Sequence, residues 1–475
     1  MPSSTTPSPL YVSHRRIYPR AVAGTWRRIK WVVLVICLAL YYGGAWLRWN
    51  RGPGAPNQAL LIDMSGPRAY FFDLEIWPQE VYYLTGLLIL AAIGLFLATS
   101  LFGRVWCGYA CPQTVWTDLF MLAERWIEGD RNARIRRDKG PVTAGRILRK
   151  GAKHTIWLLI AVATGGAWVL YFNDAPTVWR QFFAGSAGAG VYFFVLALTA
   201  TTYLLAGWAR EQVCTYMCPW PRFQAAMLDE HSFAVTYRAW RGEPRGAKHK
   251  DQSWEGRGDC VDCTACVQVC PTGIDIRNGP QLQCIGCGLC IDACDAVMDR
   301  VERPRGLIAW TTLAADAVAA AGGKPRYRLI RPRTIVYAAM LLLVAGVMAG
   351  ALALKSTVEF NVQRDRSPQF VRLADGSIRN GYTLHILNKT RHERSFHLRG
   401  EGPADLALTL AGETARVADL DLVVPADSVG TFTLLVRIPA SEVKGALSPL
   451  EFVLRDPDGH ELIRKATVFA GPGST

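Results

Sequence analysis

Charged residues are scarce in this sequence, and long apolar stretches take their place. Only 19% of the 475 residues are Asp, Glu, Lys or Arg, while 50% are apolar. The apolar residues gather into five runs, near residues 31–49, 81–101, 155–172, 188–208 and 334–354. A helix needs roughly 20 apolar residues to cross a bilayer. The composition therefore indicates a membrane protein rather than a soluble one.

Histidine is missing from these five runs, and His154 only borders the third. A b-type haem in a membrane bundle needs axial ligands such as His within the helices. The sequence also has no C-x-x-C-H haem-attachment motif and no strong nucleotide-binding fingerprint. With haem and nucleotide cofactors excluded, the sequence predicts redox chemistry at metals that cysteine thiolates hold, unless another subunit supplies haem or flavin.

Lysine and arginine are scarce in the loops after the first and third runs and abundant elsewhere. Residues 1–30, 102–154 and 209–333 hold 6, 11 and 17 of them. The positive-inside rule predicts that these stretches are cytoplasmic, with the C-terminus on the periplasmic side of a bacterial inner membrane. Topology then explains most of the net charge of +14, and nucleic acid is not an expected partner.

Eight of the thirteen cysteines form two identical motifs. CVDCTACVQVCP at 260–271 and CIGCGLCIDAC at 284–294 share the spacing C-x2-C-x2-C-x3-C. In this spacing three close cysteines bind one [4Fe-4S] cluster and the fourth reaches the other cluster. Two clusters are therefore predicted, one held by Cys260, Cys263, Cys266 and Cys294, and one by Cys284, Cys287, Cys290 and Cys270. Zinc is the alternative, but zinc sites usually pair two C-x2-C units.

Four more cysteines lie in two Cys-x-x-x-Cys-Pro motifs, CGYACP at 107–112 and CTYMCP at 214–219. In an α-helix, residues i and i+4 share a face, so each motif would present two adjacent thiols at a helix end. If the second and fourth runs are neighbours, the sulfurs of Cys107, Cys111, Cys214 and Cys218 converge. Soft thiolates favour Cu(I), zinc or an iron–sulfur centre. The alternative is four inert buried residues.

The chain after about residue 355 contains no cysteine and alternates apolar with polar residues, as in GYTLHILN and TFTLLVRIP. This period of two predicts half-buried strands, and turn formers such as DPDG separate them. Several short strands at such spacing favour an antiparallel β-sandwich of immunoglobulin type.

These patterns predict an α-helical membrane protein with about five transmembrane helices, a cytoplasmic dicluster ferredoxin insert and a C-terminal all-β immunoglobulin-like domain. The predicted boundaries are 1–30 for a cytoplasmic N-terminal segment, 31–208 for a four-helix membrane domain with the basic loop 102–154, 209–333 for the ferredoxin domain, 334–354 for the fifth helix and 355–475 for the periplasmic sandwich.

The order of helices, CGYACPQTVWTD, CTYMCPWPRFQ, the dicluster insert and the β-rich tail resembles the cytochrome c oxidase accessory protein family known as CcoG, FixG or RdxA. WPQEVYY and DGSIRNGYTLHILNK are similar to that family too, and the resemblance covers nearly the whole chain. It implies a role in the maturation of cbb3-type oxidase, by reducing Cu(II) to Cu(I) for copper chaperones. The eight ferredoxin cysteines would then bind the clusters, and Cys107, Cys111, Cys214 and Cys218 would handle copper as substrate or relay electrons.

Two other hypotheses for the function stay open. Membrane ferredoxins of the NapH and NosR type also pair Cys-x-x-x-Cys-Pro motifs with dicluster inserts, and they pass electrons from quinol to a periplasmic reductase. A non-catalytic assembly scaffold for the oxidase is the third reading. The expected partners are membrane lipid, copper chaperones, cbb3-type oxidase assembly factors and an unidentified electron donor, and the sequence leaves a homo-oligomer open.

Overall fold

The computed structural model describes residues 16–472 except 53, 67, 248–252, 414 and 444. The chain divides into two compact units, Met1–Met348 and Ala349–Thr475. All thirteen cysteines belong to the first unit.

The described residues form thirteen α-helices. They are α1 (Thr25–Gly43), α2 (Tyr82–Phe102), α3 (Pro112–Glu128), α4 (Arg131–Lys139), α5 (Ala144–Leu170), α6 (Ala175–Ala184), α7 (Ala189–Thr202), α8 (Trp220–Met227), α9 (Ala239–Gly242), α10 (Ala265–Val269), α11 (Leu289–Arg300), α12 (Leu313–Ala320) and α13 (Pro332–Ala353).

The described residues also form fourteen strands. They are β1 (Leu60–Asp63), β2 (Arg68–Phe71), β3 (Leu74–Ile76), β4 (Phe233–Tyr237), β5 (Ile308–Thr312), β6 (Val358–Arg364), β7 (Val371–Arg372), β8 (Ile378–Asn388), β9 (Arg394–Glu401), β10 (Ala407–Leu410), β11 (Asp419–Val424), β12 (Ser428–Ile438), β13 (Leu447–Arg455) and β14 (Glu461–Ala470).

Five helical stretches of the described chain are long and apolar enough to cross a membrane, and each overlaps one of the five apolar runs. They are Thr25–Trp46, Pro78–Phe102, Ala144–Leu170, Ala189–Ala209 and Pro332–Ala353. Large apolar side chains such as Leu88, Leu196 and Leu342 are exposed on them. A soluble protein rarely leaves so much apolar surface uncovered, whereas a surface that faces lipid does. The prediction of a five-helix membrane protein is confirmed.

The third span begins at Ala144 instead of near residue 155, because charged residues that lower the hydropathy are nonetheless helical. Lys150 and Lys153 each lie 3.3 Å from a carboxylate oxygen of Glu128 on α3. A buried charge is tolerated when it is paired, so these lysines extend α5 rather than ending it.

This extension places His154 inside the third span, so the prediction that the spans contain no histidine is wrong. Its Nδ1 atom lies 2.8 Å from the hydroxyl of Tyr203, and its ring stacks on Trp208. The imidazole therefore already has a hydrogen-bond partner on the neighbouring span.

A small antiparallel sheet between the first and second spans was not predicted. It has the strand order β1-β2-β3 and is supported by Arg51, whose guanidinium donates to the carbonyls of Gln58 and Ala59 at 2.8 and 2.9 Å. Strands of three or four residues are too short to show a clear alternation in the sequence.

The cysteine-rich segment between α7 and α13 folds around the antiparallel pair of β4 and β5, with Val235 opposite Trp310. Helices α10 and α11 pack against this pair. The apolar core includes Val235, Ile276, Ile291, Met298 and Ile308, and cysteines of both motifs belong to it.

The second unit is a sandwich of two antiparallel sheets. One has the order β10-β12-β8-β6, with β7 also paired to β8, and the other has the order β11-β9-β13-β14. Alternate residues of β8 and β12, such as Tyr382, Leu384 and Leu434, are fully buried between the sheets. The predicted immunoglobulin-like fold is confirmed.

Candidate electron-transfer site

The eight motif cysteines line two small neighbouring cavities. Cys260, Cys263, Cys266 and Cys294 line the first, and Cys270, Cys284, Cys287 and Cys290 line the second together with Cys266. Each cavity thus combines three cysteines of one motif with the last cysteine of the other, which is the grouping that the spacing predicts. Four thiols around a cavity of this kind fit a cubane [4Fe-4S] cluster.

Each motif wraps its cavity with two left-handed residues at equivalent positions. Asp262 and Thr264 have φ values of 52° and 56°, and Gly286 and Gly288 have φ values of 68° and 71°. In the second motif, Gly288 is required for steric reasons in addition to its left-handed conformation. A Cβ at this position would lie 2.9 Å from the ring of Trp26. The difference arises because the second motif packs against the membrane helices.

The two cavities differ in depth. Cys260 and Cys266 of the first cavity are buried but Cys263 is exposed, whereas no cysteine that lines the second cavity is exposed. The N-terminus of α1 also docks on α11, since the Arg27 amide donates to Asp292 at 2.8 Å. The first cavity is therefore closer to solvent, and the second is closer to the membrane helices.

The two Cys-x-x-x-Cys-Pro motifs do not form the α-helical turns that the sequence predicts. Trp106–Ala110 and Val213–Met217 are π-helical turns, closed by hydrogen bonds of 2.8 Å from Cys111 N to Trp106 O and from Cys218 N to Val213 O. Cys111 has ψ 128° and Cys218 has ψ 122°, so both leave the helical conformation. The prolines cause this, because a residue before proline is driven out of the α region.

The prediction that each cysteine pair lies at i and i+4 on one α-helical face is therefore wrong, although both motifs do follow the ends of the second and fourth spans. Wide π turns are frequent at functional sites. Here the wide turn ends each motif in an extended cysteine.

The first π turn packs directly on the loop that lines the second cluster cavity. A Cβ at Gly108 would lie 2.9 Å from Ile285 O and 3.1 Å from Cys287 N, so only glycine allows this approach. The Tyr109 hydroxyl donates to the carbonyl of Cys287 at 3.0 Å, and the Arg104 guanidinium donates to the carbonyl of Cys284 at 2.8 Å. The thiol of Cys107 is thus one backbone layer away from the second cluster cavity.

The first motif and its neighbours also contact the segments on either side of the second motif. The Cys107 thiol donates to Gln224 Oε1 at 3.1 Å, and Arg104 donates to Pro221 O at 2.7 Å. On the other side, the Gln113 side-chain amide donates to Leu205 O and Arg210 O at 2.8 and 3.1 Å. These contacts hold the second and fourth spans together at the ends that carry cysteine.

All four thiols of these motifs lie within electrostatic range of one another. Burial, followed by charge on Cys111, Cys214 and Cys218, raises the pKa of Cys107 to about 12, and the Arg104 charge acts against this rise. Burial, followed by Cys111 and Cys218, raises the pKa of Cys214 to about 11. These two thiols are therefore protonated at neutral pH, and a metal ion that binds them must displace protons.

The four sulfurs are close together, but they are not arranged to coordinate a single ion. Within the described residues, no three His, Cys, Asp or Glu side chains converge closely enough to hold one bare metal ion, in contrast to the wider spacing that a four-iron cluster bridges. Cys107 and Cys214 are partly buried, whereas Cys218 is exposed. An ion could therefore reach the thiols from the side of Cys218.

The charge of one buried lysine acts on a thiol of the second cluster cavity, Cys287, and on one of the four thiols, Cys214. Lys30 is 2% exposed, and its ammonium lies 3.8 Å from Asp118, which also accepts from Arg27 at 2.7 Å. Burial raises the pKa values of Cys287 and Cys214, but the Lys30 charge acts against burial at both thiols. One cation therefore favours the anionic form of sulfur at both sites.

A second buried charge network surrounds Glu124 on α3. Its carboxylate lies 2.6 Å from Arg134, 3.0 Å from Arg210 and 3.6 Å from Lys153. Burial alone would raise the pKa of Glu124, but Arg210, Arg134 and Lys153 together outweigh burial and lower it. The ionised carboxylate therefore joins α3, α4, α5 and the segment before the second motif.

The fold and the site define a class of protein, a membrane-bound iron–sulfur electron-transfer protein with two [4Fe-4S] domains. A family model described as a 4Fe-4S dicluster domain matches residues 209–313, and one described as a 4Fe-4S binding domain matches residues 84–131. A third, described as the IG-like fold at the C-terminus of FixG, matches residues 348–472.

Three curated relatives match almost the full length. Nitrogen fixation protein FixG of Rhizobium meliloti is 47% identical over 95% of this chain and 92% of its own length. Protein RdxB of Cereibacter sphaeroides is 46% identical over 99% of both chains, and protein RdxA of the same organism is 48% identical over 95% of this chain and 96% of its own. The chain belongs to the FixG/RdxA family.

Sequence reasoning missed the polar residues that join the site together. Arg104, Gln224 and Lys30 were not singled out, because a lone charged or amide residue near a span is usually a solvated one. Gln113 and Gln224 did carry a signal, since each follows its Cys-Pro pair within a few residues.

Proposed function

We propose that this chain reduces Cu(II) to Cu(I) at Cys107, Cys111, Cys214 and Cys218, and that the product serves assembly of a cbb3-type cytochrome c oxidase. The observation that carries the proposal is the packing of the first Cys-x-x-x-Cys-Pro turn on the loop of the second cluster cavity through Gly108 and Tyr109.

The chemistry is a one-electron step in which Cu(II) gains one electron and becomes Cu(I). When bound, a [4Fe-4S] cluster supplies electrons singly. The thiols of this chain bind copper, and soft sulfur ligands stabilise the Cu(I) product over Cu(II). Lys30 and Arg104 offset the negative charge that builds up as thiols become thiolates.

The positive-inside distribution supports a cytoplasmic position for the cluster cavities and a periplasmic position for the second unit. In this arrangement the copper thiols face the cytoplasm. The immunoglobulin-like unit would then contact oxidase assembly factors or copper chaperones in the periplasm.

The experiment is anaerobic Cu(II) reduction by purified, dithionite-reduced protein, with Cu(I) detected by a chelator dye. The test variant replaces Cys107, Cys111, Cys214 and Cys218 by Ser, and the matched control is Cys37→Ser, a cysteine in the first span outside both motifs. Cu(I) from the native chain and the control, but not from the fourfold variant, supports the proposal. Equal rates in all three would assign reduction to the clusters alone and overturn the proposed site.

A further inference from the structure

A third cavity lies beside the second cluster cavity, where the second span ends. It has a volume of about 260 Å³ and is partly open. Its walls come from α2, α8, β4, β5 and the loop before Cys284. Most lining side chains are apolar, and three are aromatic, namely Phe102, Phe233 and Trp310.

This cavity shares a wall with the second cluster cavity. Cys284, Val235 and Ile276 line both cavities. A molecule in the third cavity would therefore be separated from the predicted cluster by one layer of side chains, one of which is a cluster ligand. Such a place suits an electron donor better than a structural lipid.

The cavity also lies at the edge of the membrane. Phe102 is the last residue of the second span, and a Cβ at Gly103 would collide with the carbonyl of Phe233. The fifth span begins at the same level, because Arg331 donates to the carbonyl of Ser100, within the last turn of α2, at 2.6 Å. A ligand dissolved in the bilayer could therefore reach the cavity without crossing water.

Two polar side chains interrupt the apolar lining, Arg104 and Gln281. Arg104 donates to Cys284 O at 2.8 Å and holds the cluster loop, so its positive charge sits at the shared wall. An apolar pocket with aromatic walls and a few polar groups is the usual form of a small-molecule site. The matching ligand has a flat ring, an apolar tail and oxygen atoms that accept hydrogen bonds.

We propose that this cavity binds a membrane-dissolved hydroquinone, which donates electrons to the second cluster. The hydroquinone loses two electrons and two protons and becomes a quinone. The two electrons would pass singly to the two [4Fe-4S] clusters that the eight cysteines would hold, and the two protons would be released to water. This inference deepens the proposed function by naming the electron donor, and it rests on the electron-transfer role of that site.

Binding is tested first, without any measurement of turnover. A photoreactive azidoquinone is irradiated with the purified full chain, and the labelled peptides are identified by mass spectrometry. Labelling within residues 225–235 or 280–286, suppressed by excess decylubiquinone but not by phospholipid, supports the site. Labelling elsewhere only, or suppression by phospholipid alone, overturns it.

The matched variants are Leu282→Trp and Leu313→Trp. Leu282 lines the cavity and is 51% exposed, whereas Leu313 lies outside it and is 46% exposed. Both positions leave the backbone room for a larger side chain, so both variants should fold. Trp at position 282 should fill the cavity and lower labelling by about tenfold, in line with the usual cost of overpacking. Equal labelling of both variants would contradict the site.

Cluster reduction is then followed anaerobically by the loss of visible absorbance after addition of decylubiquinol or a menaquinol analogue, with no copper present. The native chain and Leu313→Trp should be reduced, and Leu282→Trp should be reduced about tenfold more slowly. No reduction in the native chain by either hydroquinone would overturn the donor role. Copper reduction by dithionite-reduced protein needs no hydroquinone, so failure of the proposed function is seen separately.

Discussion

At the scale of single residues, the proposed electron path depends on close contacts between residues of different segments. Gly108, Tyr109 and Arg104 bring the first Cys-x-x-x-Cys-Pro turn to the cluster loop, and Gln224 brings the second motif to Cys107. The cysteine spacing predicts which thiols share a cluster. It does not predict these contacts, because they join residues that are more than 100 positions apart in sequence.

Gly108→Val should slow electron transfer to copper without removing the clusters. The new side chain would meet Ile285 O and Cys287 N and push the thiol turn away from the cluster loop, at a cost of about 1–3 kcal/mol. The measurement is the anaerobic rate of Cu(I) formation at equal iron content. Gly151→Val is the control, because a Cβ there meets nothing within 4 Å. Unchanged rates for Gly108→Val at full iron content would show that this contact does not carry the transfer.

At the scale of helices and strands, hydropathy and periodicity in the sequence predict most of the elements. The five spans and the strands of the second unit follow from long apolar runs and from alternation. The start of α5 was missed because paired lysines at positions 150 and 153 look like loop residues in a hydropathy profile. The π turns were missed because a cysteine spacing of i and i+4 is close to the 3.6-residue period of an α-helix, and only the following prolines reveal the change.

Glu124→Gln should destabilise the helical unit at neutral pH. Removing one partner from a buried charge network typically costs about 3–5 kcal/mol, because Arg134, Arg210 and Lys153 would keep unbalanced charge. The folded pKa of Glu124 lies below its usual 4.5, so its stabilising contribution is full above pH 4.5 and is lost as the pH falls through the folded pKa.

This is measured by thermal unfolding in detergent over a pH series. The native chain should melt higher than Glu124→Gln at pH 7, and the difference should shrink below pH 4.5. Glu413→Gln, at an exposed position, serves as the control. A difference that grows as the pH falls would show that the carboxylate is not stabilised by its cationic neighbours.

At the scale of the whole molecule, the chemistry and the β-sandwich belong to different compact units. Every cysteine lies within Met1–Met348, and the unit from Ala349 contains none. The absence of cysteine from the C-terminal unit is visible in the sequence and predicts this division. It cannot predict the cavity beside Cys284, because that cavity is formed by α2, α8, β4 and β5 together.

Removal of residues 355–475 should separate the redox role from oxidase assembly. The truncated chain should keep its clusters and reduce Cu(II) at the native rate, since all cluster and thiol residues remain. Assembly of the cbb3-type oxidase in cells should fall, because the surface proposed to contact assembly factors is gone. Cys263→Ser in the full chain is the complementary test. Normal oxidase assembly by a Cys263→Ser chain that has lost its clusters would favour the scaffold reading.

In the proposed function, copper is reduced while held by the thiols of the two Cys-x-x-x-Cys-Pro turns. The most direct measurement is copper K-edge X-ray absorption on reduced protein frozen after anaerobic mixing with Cu(II). We expect a Cu(I) edge and sulfur as the nearest neighbours, with both signals lost when Cys107, Cys111, Cys214 and Cys218 are replaced by Ser. Copper that stays Cu(II), or Cu(I) bound only by nitrogen and oxygen in the native chain, would contradict it.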